Sequence, residues 1–506
     1  LQQWIDARPD DYALRFALAD RYRDAKKFDE MAATYGAVIE RNGSGPYGLK
    51  ARGKLAALML AQNKADQAVA LAEDVLAADN QSADALLVRA AIALQRNHAD
   101  QAVGDLRTLL RNDPASVGAL RLLAQAHALK DELPLAQDTL EKAIEAAPKE
   151  PAAYLQLADL RTKAGDLQGA SQVLERLLDQ VPGDGSAQTA LARLQLGQQD
   201  VVALDKTAER VLATRPEHPM GYYLKGLVLQ GRGELEASVG QFETALAKEP
   251  KAAEPLVALG RSYLAMKQPE KAEARLKTLL ADNPGNVVAI NLLGEVYLTM
   301  GQAAQARAQY EAALRTAPGS PLAYERLARL QVSGGDRAAA LATLQSGVQA
   351  TQRSPLLVLP LAILQQASGD HTAAVASYED VLKRYPGMDA AANNLAMLIA
   401  DQRAGDPASL ARARELTARF DASDRAAFLD TAGWVQYRSG SYERAADLLR
   451  RAMDAGDANP ERQYHLGMAY LKVGRIEDGK ALLSSAVGAK QPFAGIEEAR
   501  TALQTP

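Results

Sequence analysis

The sequence predicts an all-α chain built as a helical solenoid, and three observations predict it. Pro114, Pro148, Pro182, Pro216, Pro250, Pro284 and Pro318 recur every 34 residues; Pro386 falls in phase after one skipped period, and Asn80 and Pro46 extend the grid backward. Between these marks, small and apolar residues recur at helical spacing twice per period. Aromatics make up only 5% of the chain and alanine is over-used, which disfavours a large β-sandwich or barrel and favours helix.

Each period reads as helix, tight turn, helix, tight turn. In the period that opens at Val287, Ile290, Leu293, Gly294 and Tyr297 share one helical face; Gly301 breaks the helix; Ala306, Tyr310 and Ala313 form a second face; Pro318 closes the unit. Pro151, Pro219, Pro321 and Pro355 open their units, where the missing N–H costs a helix nothing. Fourteen units open at Tyr12, Leu49, Ala83, Val117, Pro151, Gly185, Pro219, Ala253, Val287, Pro321, Pro355, Asp389, Ala426 and Pro460. The first is lengthened at Asn42-Gly43-Ser44-Gly45, the twelfth at Arg403-Ala404-Gly405-Asp406-Pro407. The unit at Gly185 is the most irregular, with Gln195 and Leu204 where an aromatic and an alanine are usual. Pro360, at the sixth position of a first helix, predicts a kink or a late helix start.

Small-aromatic-small spacing over 34 residues with a closing proline resembles the tetratricopeptide repeat (TPR). Leu293-Gly294, Tyr297, Ala306, Tyr310, Ala313 and Pro318 carry the likeness best; Gly260, Tyr263, Ala272 and Pro284 match nearly as well, as do Gly467 and Tyr470. The resemblance implies an α-solenoid of about 14 helix-turn-helix units wound into a right-handed superhelix. At about 150 residues per domain, 506 residues would otherwise suggest three or four globular domains. The division expected is 1–11 as the end of a truncated preceding helix, 12–493 as the solenoid, and 494–506 as a C-terminal capping helix. Such units hide their apolar stripes by stacking, so stability is close to a sum of unit and interface contributions.

Composition excludes several functions. There is no cysteine, hence no disulfide, Fe–S cluster or thiolate zinc site. Lys+Arg 58 against Asp+Glu 62 leaves a net charge of −4, which argues against nucleic-acid binding by net charge. No run approaches the ~20 apolar residues of a membrane span. Of the histidines, His127 takes an aromatic position and reads as packed; His98, His218 and His371 lie at turns; none, His465 included, has a His or Cys partner at metal-ligand spacing. Phosphate-loop, dinucleotide-binding and nucleophile-elbow motifs are missing too. The chain is therefore read as non-enzymatic, with no metal and no cofactor.

In the family the sequence resembles, the first helix of each unit lines a concave groove at positions 2, 5, 9 and 12, opposite positions 4, 8 and 11. At position 9, Arg261, Glu295 and Arg329 alternate in sign, and so do Asp159 and Arg193. Tyr223, Asn291 and Glu325 at position 5 would join them. Two readings stand open: an ion-pair ladder between stacked helices, or a polar strip that hydrogen-bonds an extended partner. Farther along, position 9 turns apolar as Ile363, Met397, Trp434 and Met468, with Asn393, Asp430 and Tyr464 at position 5. If the groove is open there, these side chains form an exposed binding patch; the alternative is burial against the next helix. No unit carries the Lys at position 5 and Asn at position 9 with which chaperone-tail-binding members hold a carboxylate.

Asn393-Asn394-Leu395-Ala396, Leu429-Asp430-Thr431-Ala432-Gly433-Trp434 and Tyr464-His465-Leu466-Gly467 resemble the end of bacterial envelope TPR proteins of exopolysaccharide export and exosortase (PEP-CTERM) systems. The usual motif has Leu where Ala432 stands. The expected function is a protein-interaction scaffold that binds protein or peptide partners along its groove, in the periplasm or at the outer membrane, with envelope secretion components among the partners. The alternatives are the recruiting or regulatory arm of an enzyme whose catalytic domain lies outside this segment, and a cytoplasmic assembly factor.

Overall fold

In the computed structural model, residues 2–8, 10–456, 459–489 and 491–504 are described. Every regular element among them is helical, and helices follow one another as antiparallel pairs. The chain divides into two compact units, residues 1–262 and 263–506.

The first unit begins with a short helix, Gln2–Ala7. Seven pairs follow, from Tyr12–Asp24 with Phe28–Asn42 to Pro219–Gly231 with Leu235–Lys248, and then most of the helix Ala253–Ala265. The second unit holds that helix's end, its companion Pro269–Asp282, and six pairs from Val287–Thr299 with Ala303–Thr316 to Pro460–Lys472 with Ile476–Gly488; Ile496–Gln504 comes last. No helix among the described residues is long and apolar enough to cross a membrane.

Thirteen of the fourteen first helices open at the residue the sequence indicated. The exception starts at Pro46, not Leu49. Pro46 lies on the proline grid but serves here as a first helical residue rather than a closing one. Gly43, at φ 53, ends the preceding helix, and Asn42 Oδ1 accepts the Gly48 N–H at 2.9 Å. The late start expected at Pro360 is also corrected. The helix Pro355–Ala367 begins five residues earlier, because Pro355 takes the first position and the Ser354 carbonyl accepts the N–H groups of Leu357 and Val358 at 2.9 and 3.0 Å. Pro360 withdraws only the donor that would meet the Leu356 carbonyl.

In four of the pairs, a glycine at position 8 faces position 24. A Cβ on Gly294 would stand 2.5 Å from the Tyr310 ring, and one on Gly226 would stand 2.4 Å from Phe242. Ala306 and Ala313, on the same face as Tyr310, are fully buried. Small residues at fixed positions thus set how closely two helices approach, and rings or leucines fill what remains. The turn within each pair places position 15 at positive φ, in Gly165, Gly233, Gly301, Gly335, Gly369, Gly440 and Gly474 but also in Lys26, Asn63, Asn97, Asp131, Gln199 and Lys267. The twelfth pair departs from this, since its longer turn leads through Asp406, whose side chain caps the helix Pro407–Thr417.

Candidate functional site: one face of the first helices

Positions 2, 5, 9 and 12 of consecutive first helices share a face, and in the first unit depressions open on it. One depression, of about 350 Å³, draws on four first helices and is lined by Ala57, Leu60, Leu87, Ala91, Arg121, Gln125 and Gln156. Gln156 holds its edge: its Nε2 donates to the Arg121 carbonyl at 3.0 Å, and Arg121 Nε donates to Gln156 Oε1 at 3.3 Å.

The second depression, of about 300 Å³, has a mostly apolar floor of Leu196, Pro219, Met220, Tyr223 and Pro255, with Arg193, Glu249 and Glu254 at its margin. Local structure places these groups. Pro219 opens its helix and His218 caps it, its Nδ1 accepting the Met220 N–H at 3.2 Å. Burial, then the Arg215 charge, holds the His218 pKa below its usual value, in keeping with a neutral acceptor nitrogen. Tyr223 is half-buried, 6.1 Å from the Phe242 ring, and burial reinforced by Glu254 pushes its phenol pKa up. Arg261 is exposed and acts on Tyr223 electrostatically.

The pairing of like positions, one of the two readings of the charged strip, is not what forms. Arg326 pairs with Glu295, and lies 3.5 Å from Glu325; Arg329 reaches back one turn to Glu325 at 3.7 Å. Asp159 pairs with Lys163 on its own helix at 2.7 Å, not with Arg193. The reason is register. A side chain at position 6 sits at the helix edge that faces the preceding first helix, so it meets position 5 or 9 there; the contact of Arg121 with Gln156 is of this kind. These pairs are partly exposed and each is worth about 0–1 kcal/mol. Asn291 is buried, donates Nδ2 to the Val287 carbonyl at 2.9 Å, and leaves Oδ1 without a partner. Asn393 is half-buried with its Oδ1 also unpartnered.

Of the apolar residues expected at the far end, only Ile363 is openly exposed, at 45%. Met397 is half-buried. Trp434 (2%), Met468, Tyr464 and Asp430 are buried by their own chain, so the exposed patch is corrected to the alternative, burial against neighbouring helices. Trp434 stacks between Tyr437 and His465, at centroid distances of 4.8 and 4.2 Å. Its indole N–H donates to Asp401 Oδ1 at 2.9 Å. His465 Nδ1 lies 3.0 Å from Asp430 Oδ1, and the Tyr464 hydroxyl donates to Glu498 at 2.7 Å. Burial opposes protonation of His465, but the Asp430 charge and hydrogen bond, with Glu461 and Asp401 beyond, outweigh it and raise its pKa. Burial likewise pushes the Asp401 and Glu461 carboxyls up.

The reading of the sequence missed this network, although a signal existed. His465 at position 6 follows Asp430 at position 5 of the preceding unit, the offset of Gln156 and Arg121. His127 is buried as expected, with Glu132 at 2.6 Å from its Nδ1. Among the described residues, no three His, Asp or Glu side chains gather as metal ligands.

Comparison with known proteins gives a consistent family. A tetratricopeptide repeat model matches residues 132–194, 229–296, 297–358 and 436–503, and a second model of the same description matches 87–151 and 359–408. Similar solved structures include the Cut9–Hcn1 hetero-tetramer of the APC/C, at 15% identity, covering 98% of this chain and 97% of that one with a TM-score of 0.34. A tetratricopeptide repeat protein from Parabacteroides merdae is 17% identical over 50% of this chain and 99% of its own, with a TM-score of 0.34. A thermophilic TPR protein from Thermus thermophilus is 27% identical over 36% of this chain and 100% of its own, with a TM-score of 0.30. No curated protein matches the chain. The repeat models cover more than half of the sequence, and the chain belongs to the tetratricopeptide repeat family, as a protein-interaction scaffold.

Proposed function

We propose that this scaffold binds an extended segment of a protein partner along the face of its first helices, with an apolar side chain of that segment seated against Tyr223. The observation that supports this is the depression of about 300 Å³ whose floor is apolar and whose margin carries both signs of charge, Arg193 on one side and Glu254 on the other. Leu196, 40% exposed, and Met220 supply apolar area; the charged margin fixes orientation. In the second unit, Glu325, Arg329, Ile363, Asn393 and Met397 offer polar and apolar contacts of the same kind, and the buried Asn291 helps hold the helix that presents them. Trp434, Asp430, Tyr464 and Met468 hold the helices that present them. The test is co-purification of partners with wild type, with Leu196→Glu, and with Val202→Glu as an exposed control outside this face. Loss of the same partner from Leu196→Glu alone supports the reading; equal recovery by all three rejects it.

The finer placement is a bacterial envelope pathway for exopolysaccharide or surface-protein export, with the chain in the periplasm or at the outer membrane. It rests on the stretches Asn393-Asn394-Leu395-Ala396, Leu429 to Trp434 and Tyr464 to Gly467, and on the lack of cysteine. Fractionation of cells expressing the natural gene decides it: recovery from the cytoplasm alone overturns it.

A further inference from the structure

The depression beside Tyr223 is edged by charges that the chain itself leaves unused. Arg193, on the helix Gly185–Gly197, and Glu249 and Glu254, on either side of the turn into the helix Ala253–Ala265, are exposed and line its margin. Among the described residues none of these three has an ion-pair partner. On the same face, by contrast, Arg121 is hydrogen-bonded to Gln156, Asp159 pairs with Lys163 at 2.7 Å, and Arg329 with Glu325 at 3.7 Å. The two signs also stand apart. Arg193 belongs to the first helix before Tyr223 and Glu254 to the one after it, with Met220 and Tyr223 between them. Glu254 is near enough to the floor to help push up the Tyr223 phenol. Neighbouring first helices stack about 10 Å apart and an extended chain advances ~3.3 Å per residue, so a segment that crosses them takes about three residues from one helix to the next.

We infer that the segment docked here is zwitterionic, with an apolar residue over Tyr223, an acidic residue about three positions to one side that meets Arg193, and a basic residue about three positions to the other that meets Glu249 and Glu254. The inference rests on the docking of an extended segment at this face and adds the partner's charge pattern to it. Unpaired charges of opposite sign on opposite margins attract a segment with the complementary order. A segment with two basic or two acidic flanks sets like charges together at one margin and is rejected.

Selection of displayed random linear peptides on the whole chain, keeping those that wild type retains and Leu196→Glu does not, tests this. The retained peptides are expected to share an apolar residue with an acidic residue on one side and a basic residue on the other. Arg193→Glu changes an exposed position, so helicity by circular dichroism should be retained. Selection on this variant is expected to yield peptides with basic residues on both sides, and a peptide selected on wild type should bind it about tenfold more weakly. Glu249→Lys with Glu254→Lys should yield acidic residues on both sides. Leu196-dependent peptides without the charge pattern, or with a pattern that Arg193→Glu leaves unchanged, overturn the inference and leave the docking itself standing. If no peptide depends on Leu196, both fall.

Discussion

His465 Nδ1 lies 3.0 Å from Asp430 Oδ1, and both side chains are buried between consecutive first helices. The pair joins two repeats with a charge inside a core made mainly of apolar side chains, so this end of the second unit should respond to pH. The pKa of His465 is raised in the folded chain. A raised value means that the native state holds its proton more tightly than the unfolded chain, whose histidine titrates near its ordinary ~6.5. The stabilisation is therefore complete below about pH 6.5 and is lost as pH rises through the native value. Asp401 and Glu461, also raised, act in the same direction, since their neutral forms are favoured by burial. Thermal unfolding at a series of pH values should show wild type exceeding His465→Asn most at pH 6, with the gap closing toward alkaline pH. Breaking a buried pair costs about 3–5 kcal/mol. A gap that is constant with pH would mean that His465 only fills space.

The indole of Trp434 has two separable roles. Its ring packs against His465 and Tyr437, and its N–H satisfies Asp401. Trp434→Phe keeps most of the ring and removes the donor, which leaves a desolvated carboxylate and costs about 1–3 kcal/mol. The Asp401 pKa should rise further, because that hydrogen bond is the first of the influences pulling it down against burial. Denaturant unfolding of the two proteins gives the cost. In a Trp4→Phe background, where the 65% exposed Trp4 no longer contributes, a blue-shifted emission should report Trp434 alone. Emission at the wavelength of a solvated indole would contradict its burial.

Some of this was legible in the sequence and some was not, for physical reasons. Some helix starts were legible because proline is tolerated at the first helical position, where its missing N–H has no partner to lose, and Pro151, Pro219, Pro321, Pro355 and Pro460 stand there. Pro46 misled because a proline on the grid serves equally to close one unit or to open the next. The partners within the charged strip were not legible, because comparing equal positions on neighbouring helices leaves out that position 6 meets position 5 or 9: Arg326, not Arg329, reaches Glu295. Whether Trp434 faces solvent depends on how closely three first helices stack, and no local pattern of apolar residues encodes that distance.

The turn at position 15 offers a cheap gain in stability. Gln199 adopts φ 57 and Lys267 φ 58, a left-handed conformation that costs an ordinary L-residue about 1 kcal/mol and glycine little. Gln199→Gly and Lys267→Gly should each stabilise, by somewhat less than that after the unfolded chain's added freedom is counted. Gly301 adopts φ 72 with open space around its Cβ position, so Gly301→Ala isolates backbone strain and should cost about 1 kcal/mol. Urea midpoints for the three variants check the signs. Stabilisation by Gly301→Ala would show that the conformation carries no cost.

The approach of Gly294 to Tyr310 fixes how closely one helix pair packs, and two substitutions there should act in opposite directions. Gly294→Ala sets a methyl 2.5 Å from the ring carbon Cε1, and neither rigid partner can yield without moving a helix. Overpacking of this kind costs about 1–3 kcal/mol. Tyr310→Phe keeps the ring and removes a hydroxyl that is buried without a hydrogen-bond partner and whose pKa burial pushes up to about 12. An unsatisfied buried group is a liability, so this variant should be neutral or more stable by about 1 kcal/mol. Tyr310→Leu opens room for the added methyl, and the double variant with Gly294→Ala should then lose less than the sum of the two single losses. A double-mutant cycle by chemical denaturation measures that coupling. Additive losses would show that the added methyl is accommodated by a route other than the ring, and the close contact would no longer account for glycine at this position.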